Sequence, residues 1–130
     1  MKKLLIFSLI LISVCSCKKT KFAPEGPTDV RIENMSDQAW TEVIVNTSGG
    51  IDTFNTIAAG GTSDYSRYEK AFPKANISAM IGGVKFSTGT VNYTYLTYIG
   101  QAKITYQVYI KSVPNRTLEI FNCSLDAPLD

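Results

Sequence analysis

Hydrophobic and polar residues alternate with a period of two over most of the chain from residue 29 onward. The clearest run covers residues 102–110, where Ile104, Tyr106, Val108 and Ile110 are predicted to point inward and the residues between them, Thr105 included, to point outward. This alternation is typical of an antiparallel β-strand that is buried on one face only. No segment shows helical periodicity over the roughly ten residues that a helix needs.

Turn-forming residues divide the alternating pattern into short strands. We expect residues 30–33 and 40–46 to form a first hairpin around a polar turn at residues 34–38. A second hairpin is predicted around Gly82 and Gly83, since glycine readily adopts the positive φ angles of a two-residue turn. Further strands are predicted at residues 93–99 and 117–123.

The predicted fold class is therefore all-β. Seven to eight short strands without a helix favour an antiparallel β-sandwich of immunoglobulin-like or related topology, with a small β-barrel as the alternative. Trp40 is expected in the core. We assign residues 29–124 to this domain and residues 125–130 to a C-terminal tail.

The first seventeen residues, MKKLLIFSLILISVCSC, have the pattern of a bacterial lipoprotein signal peptide. Lys2 and Lys3 precede an apolar stretch at residues 4–14 that is too short to span a bilayer. Ser16 is the small residue expected just before a lipidated cysteine, so we predict cleavage before Cys17 and a lipid anchor on Cys17. The alternatives are an ordinary secretory peptide and a short N-terminal anchor helix.

This assignment makes residues 1–16 a signal peptide and residues 17–28 a lipidated cysteine with a flexible linker. The linker is charged and contains proline and glycine, which is typical of an extended spacer. Its basic residues, and those of the signal peptide, account for the net charge of +2. From residue 22 onward, eight basic side chains stand against eleven acidic ones, so nucleic-acid binding is not expected.

The residue types that are missing exclude most catalytic designs. The chain has no histidine, so it has no Ser-His-Asp or Cys-His arrangement and no histidine-ligated metal site. Its carboxylates are scattered, and Asn34, Asp37 and Gln38 are better explained as a turn that caps its own backbone than as a calcium site. Cys123 is expected to be a small buried apolar residue. We predict no enzymatic activity, no metal and no cofactor.

A set of tyrosines is the candidate binding face. If residues 93–99 form a strand, Tyr93 and Tyr95 share one face of it, and Tyr109 lies on the outer face of its own strand. Exposed tyrosine rings are used by protein-binding and sugar-binding surfaces. The alternative is that these tyrosines only stabilise cross-strand pairs.

Several segments resemble a group of short lipoproteins of Bacteroidota. The similar parts are the lipobox VCSC with two following lysines, the run VRIENMSDQAWTEVIVNTSGG and the run FNTIAAGGTSDYSRYEKAFPKANISAMIGG. The resemblance implies a lipid-anchored β-sandwich and no catalytic residues. In these bacteria acidic residues after the lipidated cysteine favour surface display, so Lys18 and Lys19 imply the periplasmic leaflet of the outer membrane.

Two functions are compatible with the sequence. The first is a non-catalytic binding module that is anchored to the membrane through Cys17 and uses an edge strand or the tyrosine face to bind an envelope protein. The alternative is a carbohydrate-binding accessory lipoprotein, in which Tyr93, Tyr95, Tyr109 or Trp40 would contact a glycan.

Overall fold

The computed structural model describes residues 26–129, and all of its regular elements are β-strands. The predicted signal peptide and the lipidation site Cys17 lie outside the described residues. The eight strands are β1 (Thr28–Asn34), β2 (Thr41–Asn46), β3 (Ile51–Phe54), β4 (Ser66–Tyr68), β5 (Asn76–Ile81), β6 (Val84–Ser87), β7 (Ala102–Ser112) and β8 (Thr117–Pro128). Within residues 26–129, no helix is long and apolar enough to cross a membrane. The predicted all-β class is confirmed.

Backbone pairing connects the strands in the order β3-β2-β5-β6-β8-β7-β1-β4. The connection between β6 and β8 is a single residue pair, Ser87 with Thr117, whereas the other neighbouring strands share three or more pairs. The outer strands β3 and β4 lie close to each other, as shown by the hydrogen bond that the Ser66 hydroxyl donates to the Asp52 carboxylate. The sheet is therefore nearly closed.

The sequence predicts an antiparallel sheet, but the sheet is mixed. Strand β1 is parallel to β7 over six residue pairs, and the single pair between β6 and β8 is also parallel. This part of the prediction is wrong because a period of two reports which face of a strand is buried and says nothing about the direction of its neighbours.

The predicted first hairpin does not form. Strand β1 pairs with β4 and β7, and β2 pairs with β3 and β5. The turn after β1 carries the chain to the other half of the sheet, where the Asn34 side chain donates to the carbonyls of Ile57 and Ala58. The predicted role of Asn34 as a cap is confirmed, since its side-chain oxygen accepts from the Ser36 N–H at 2.9 Å.

The core consists of the inward-facing side chains of both halves of the sheet. In β1, buried and half-buried residues alternate strictly, and in β7 the predicted inward residues Ile104, Tyr106 and Val108 are fully buried. Trp40 is also fully buried, as predicted, and its ring N–H donates to the Ser36 hydroxyl at 3.0 Å. The alternation in the sequence thus identifies most of the core, but in β7 Ile110, predicted to point inward, is only half-buried, and Thr105, predicted to point outward, is buried.

Gly82 and Gly83 form the predicted hairpin turn between β5 and β6. Both have positive φ, at 59° and 78°, and Ile81 pairs with Val84 across the turn. Positive φ at both central residues is the requirement of a type I′ turn, which matches the twist of the flanking strands.

The predicted strand at residues 93–99 is absent. This segment contains a turn in which the Leu96 N–H donates to the Tyr93 carbonyl at 3.0 Å and the Thr94 N–H donates to the Asn92 side chain. The two local hydrogen bonds curl the backbone, and the ring of Tyr93 packs against Phe72 instead of pointing out from a sheet. Period-two alternation therefore does not place Tyr93 and Tyr95 on one strand face.

Candidate functional site

In the part of the chain that the structure describes, strand β8 has one edge that no other strand covers beyond Thr117. From Leu118 to Pro128 it pairs with β7 on one side, but only Thr117 pairs with β6 on the other. Within residues 26–129, no other backbone segment donates to or accepts from the opposite edge of residues 118–128. Unpaired N–H and C=O groups on a long edge form a template for an additional strand. We call this surface the β8 edge.

Three register shifts interrupt the pairing between β7 and β8, and two of them are bulges in β8. Ile120 pairs with Val108 and Asn122 pairs with Gln107, so Phe121 is an extra residue, and Asp126 is extra in the same way further along the strand. Bulges increase the local twist and redirect side chains. The side chains of Phe121 and Leu125 are both 65% exposed. The β8 edge therefore carries two large apolar side chains in contact with solvent.

A groove begins where β6 and β8 separate after their single pair. Its volume is about 520 Å³. The lining combines apolar side chains with many amide, hydroxyl and charged groups: Lys74, Ala75, Thr88, Thr90, Val91, Asn92, Lys111, Ser112, Asn115, Thr117, Leu118, Glu119 and Ile120. We call it the seam groove. Because Leu118, Glu119 and Ile120 belong to both features, the seam groove and the β8 edge form one continuous surface.

The seam groove contains more positively than negatively charged side chains. Glu119 accepts hydrogen bonds from the Tyr109 hydroxyl at 3.1 Å and from the Lys111 ammonium at 3.3 Å. The hydrogen bond from Lys111, then that from Tyr109, lower the pKa of Glu119, so this carboxylate is ionised at neutral pH. Lys74 makes no hydrogen bond or ion pair with residues 26–129, but its positive charge also contributes, as the smallest cause, to the lowered pKa of Glu119. Two lysines against one carboxylate leave one positive charge in the groove.

A polar cluster fixes the other end of β8 to the neighbouring strands. The Asp126 carboxylate accepts hydrogen bonds from the hydroxyls of Thr105 at 2.6 Å, Tyr65 at 2.8 Å and Ser124 at 2.9 Å. The Arg31 guanidinium lies 4.0 Å away. Partial desolvation raises the pKa of Asp126, but the three hydrogen bonds and Arg31 outweigh it, and the net pKa is lowered.

We expect Asp126→Asn to lower the free energy of unfolding by about 1 kcal/mol at pH 7, because charge-assisted hydrogen bonds are lost. A carboxylate with a lowered pKa in the folded state stabilises the protein above its unfolded pKa, and this contribution disappears as the pH falls through the folded pKa. Urea unfolding at pH 7 and at pH 3 measures the difference, with the exposed Asp37→Asn as control. A difference that is equal at both pH values would contradict this account.

The predicted tyrosine residues occupy three different environments. Tyr93 is half-buried, with its ring centroid 4.9 Å from that of Phe72, and its hydroxyl donates to the Asn46 carbonyl. Tyr95 is 92% exposed. Tyr109 lies on the outer face of β7, and its ring meets that of Phe121 edge-on at 6.4 Å. No pair among the three shows a ring contact within the described part of the chain, and their joint action as a binding face stays a prediction.

Cys123 lies in β8 opposite Tyr106 and packs against the core. Burial, and to a smaller extent the nearby Asp126 carboxylate, together raise the pKa of its thiol to about 11. Since the thiolate is the reactive form, Cys123 is a weak nucleophile at neutral pH. The prediction that Cys123 is a small apolar residue agrees with its contacts.

Comparisons with known proteins reveal no family. No family model matches the chain, and no curated protein matches it. One similar solved structure is an NMR structure of a protein from Eubacterium rectale, with 16% sequence identity and a TM-score of 0.48. The similarity covers 79% of this chain and 96% of the other.

Proposed function

We propose that this protein is a non-catalytic binding module of the cell envelope, which binds an extended segment of another envelope protein by strand addition along β8. The observation that supports this proposal is the open edge of residues 118–128. At roughly 3.4 Å per residue, this edge is about 35 Å long and offers enough unpaired backbone for a partner strand.

The β8 edge suits strand addition better than the two outer strands. Strand β3 has four residues and β4 has three, and short edges resist pairing with other chains. Their facing side chains are already bridged by the hydrogen bond from Ser66 to Asp52. By contrast, β8 is long, and its exposed Phe121 and Leu125 can be covered by the side chains of an added strand. Burial of apolar side chains would add affinity to the main-chain hydrogen bonds.

The membrane anchor in this proposal is the lipid on Cys17. Its support is the sequence alone: the apolar stretch at residues 4–14, the small Ser16 and the basic residues Lys18 and Lys19. We place the domain on the periplasmic face of the outer membrane, where partner proteins of the envelope are within reach of the linker. For the architecture, we propose a β-sandwich whose two four-stranded halves meet at the Ser87–Thr117 pair, with a small barrel as the alternative.

Site-specific photocrosslinking in intact cells tests this function. A benzophenone side chain replaces Phe121 or Leu125 on the β8 edge, or Val113 in the turn before β8 as the matched control, because Val113 is 62% exposed. We expect one dominant protein adduct from positions 121 and 125 and none from position 113. The same adduct should be lost from Cys17→Ala, which removes the proposed lipid anchor. Equal adducts from all three positions, or none from 121 and 125, would contradict strand addition along β8.

A carbohydrate-binding function is the second candidate, and the 92% exposed ring of Tyr95 favours it. The seam groove does not support it, since none of the described residues that line this groove has an aromatic ring to stack on a sugar. Binding of the full chain to a glycan array, compared with Tyr95→Ala and Tyr109→Ala, separates the two functions. Glycan binding that either substitution abolishes would replace the strand-addition proposal, whereas the absence of glycan binding would leave protein binding as the function.

A further inference from the structure

We propose that the seam groove binds the C-terminal carboxylate of a partner strand that is added antiparallel to β8. This inference rests on the proposed function and specifies the chemistry of the partner. It follows from the direction of β8, from the unequal charge of the groove and from the residues that line it.

The direction of β8 determines which end of the partner reaches the groove. Strand β8 starts at Thr117, beside the seam groove, and runs away from it to Pro128. Antiparallel pairing is the commoner arrangement in sheets. A strand that pairs antiparallel with β8 begins near Pro128 and ends near Leu118, so its C-terminus enters the seam groove.

The charge of the groove favours an anion at that position. Glu119 is already neutralised by Lys111 at 3.3 Å, and its second hydrogen bond comes from Tyr109. Lys74 supplies the remaining positive charge, and the amide groups of Asn92 and Asn115 add hydrogen-bond donors. A carboxylate that contacts an ammonium group and neutral amides forms charge-assisted hydrogen bonds, which are stronger than neutral ones.

The lining also explains why we infer a peptide carboxylate and not an acidic sugar. Among residues 26–129, no aromatic ring lines the groove for a sugar to stack on, and the groove opens onto the uncovered edge of β8 at Leu118, Glu119 and Ile120, where alternate backbone groups face away from β7. Backbone on an open strand edge is recognised by another backbone. The apolar Ala75, Val91 and Leu118 provide a surface for the last side chain of the peptide.

Peptide binding to the full chain in detergent micelles tests the inference. The probes are two libraries of ten-residue peptides with random sequence, one with a free C-terminal carboxylate and one with a C-terminal amide. We expect the protein to retain free-acid peptides about tenfold more strongly than amidated ones, the size of one charge-assisted hydrogen bond. Lys74→Gln should remove this preference. Lys85→Gln, which changes an exposed lysine outside the groove, should retain it.

A second variant separates this inference from the proposed function. Phe121→Lys places a charge on the β8 edge without altering a groove residue. One outcome overturns the carboxylate site and leaves strand addition supported. In this outcome both libraries bind equally, Lys74→Gln has no effect and Phe121→Lys abolishes binding. If free-acid peptides depend on Lys74 but not on Phe121, the groove binds carboxylates and strand addition fails. If neither library binds, both proposals fail.

Discussion

Asn34→Ala is expected to lower the free energy of unfolding by about 3 kcal/mol, although it removes only a small polar side chain. Asn34 is fully buried at the end of β1. Its amide group shares its two N–H donors among three carbonyls, those of Gln38 at 2.8 Å, Ala58 at 3.1 Å and Ile57 at 3.2 Å. Its oxygen accepts from the N–H and the hydroxyl of Ser36.

The large effect follows from the number of buried hydrogen bonds that the substitution removes. The Ile57 and Ala58 carbonyls each keep another donor, the N–H groups of Trp40 and Gly61, but each lost hydrogen bond costs about 0.5–1.5 kcal/mol and several are lost at once. Asn34 also connects the two halves of the sheet, because the Ile57 and Ala58 carbonyls belong to the loop after β3. Asn34→Asp should be similarly damaging at neutral pH, since a carboxylate cannot donate a hydrogen bond to a carbonyl.

Urea unfolding of the purified full chain measures this effect. Asn115→Ala is the matched control, because Asn115 is exposed in the turn before β8 and should change the free energy of unfolding by less than about 0.5 kcal/mol. An Asn34→Ala protein that is as stable as the Asn115→Ala protein would show that the buried hydrogen bonds of Asn34 do not stabilise the fold.

Tyr106→Ala should be at least as destabilising, by about 3–5 kcal/mol. Tyr106 is fully buried in the centre of β7, and deleting its ring leaves a cavity that the surrounding strands cannot fill completely. Its hydroxyl donates to the buried Phe72 carbonyl. Tyr106→Phe should therefore cost about 1–2 kcal/mol, since it keeps the ring and loses only this hydrogen bond.

The same urea measurement on both Tyr106 variants separates ring packing from hydrogen bonding. We expect the alanine variant to lose clearly more stability than the phenylalanine variant. Equal losses would mean that the hydrogen bond to Phe72 carries the effect and that the ring is dispensable for the core. The exposed Tyr95→Ala serves as the control for removing a tyrosine ring and should be close to the unchanged protein.

The sequence predicts well those features that depend on local patterns. Alternation in residues 102–110 identifies the strand and its buried face, including Tyr106. The pair Gly82 and Gly83 identifies a turn type, because few other residues adopt its backbone angles. Side-chain caps such as Asn34 are predictable for the same reason, since the interacting groups lie within a few residues of each other.

Features that depend on distant partners were not predictable. The prediction of a first hairpin is wrong because β1 pairs with β7, about seventy residues later in the chain. The two strands are parallel, and no turn sequence indicates a parallel pairing. Residues 93–99 have the composition of a strand, but local hydrogen bonds form a turn there and the rings of Tyr93 and Tyr98 pack on Phe72. Strand β8 continues to Pro128, four residues beyond the expected domain boundary at residue 124.

The sequence does not predict the β8 edge as a binding site, for a related reason. An edge strand is defined by the absence of a neighbour, and this absence follows from the separation of β6 and β8 after one residue pair. The bulge at Phe121 shifts the alternation in residues 117–128 and hides the length of the strand. A signal was nevertheless present, because Leu125 is a large apolar residue between the polar Ser124 and Asp126, four residues after the apolar Phe121.

Amide hydrogen exchange of the full chain, alone and bound to the protein that it crosslinks, tests strand addition most directly. The account predicts that binding slows exchange in residues 118–128, at the alternate amides that face away from β7, while β3 and β4 exchange at unchanged rates. Slower exchange in β3, in β4 or in residues 93–98, with β8 unchanged, would contradict it and move the binding surface to the outer strands or to the exposed tyrosines.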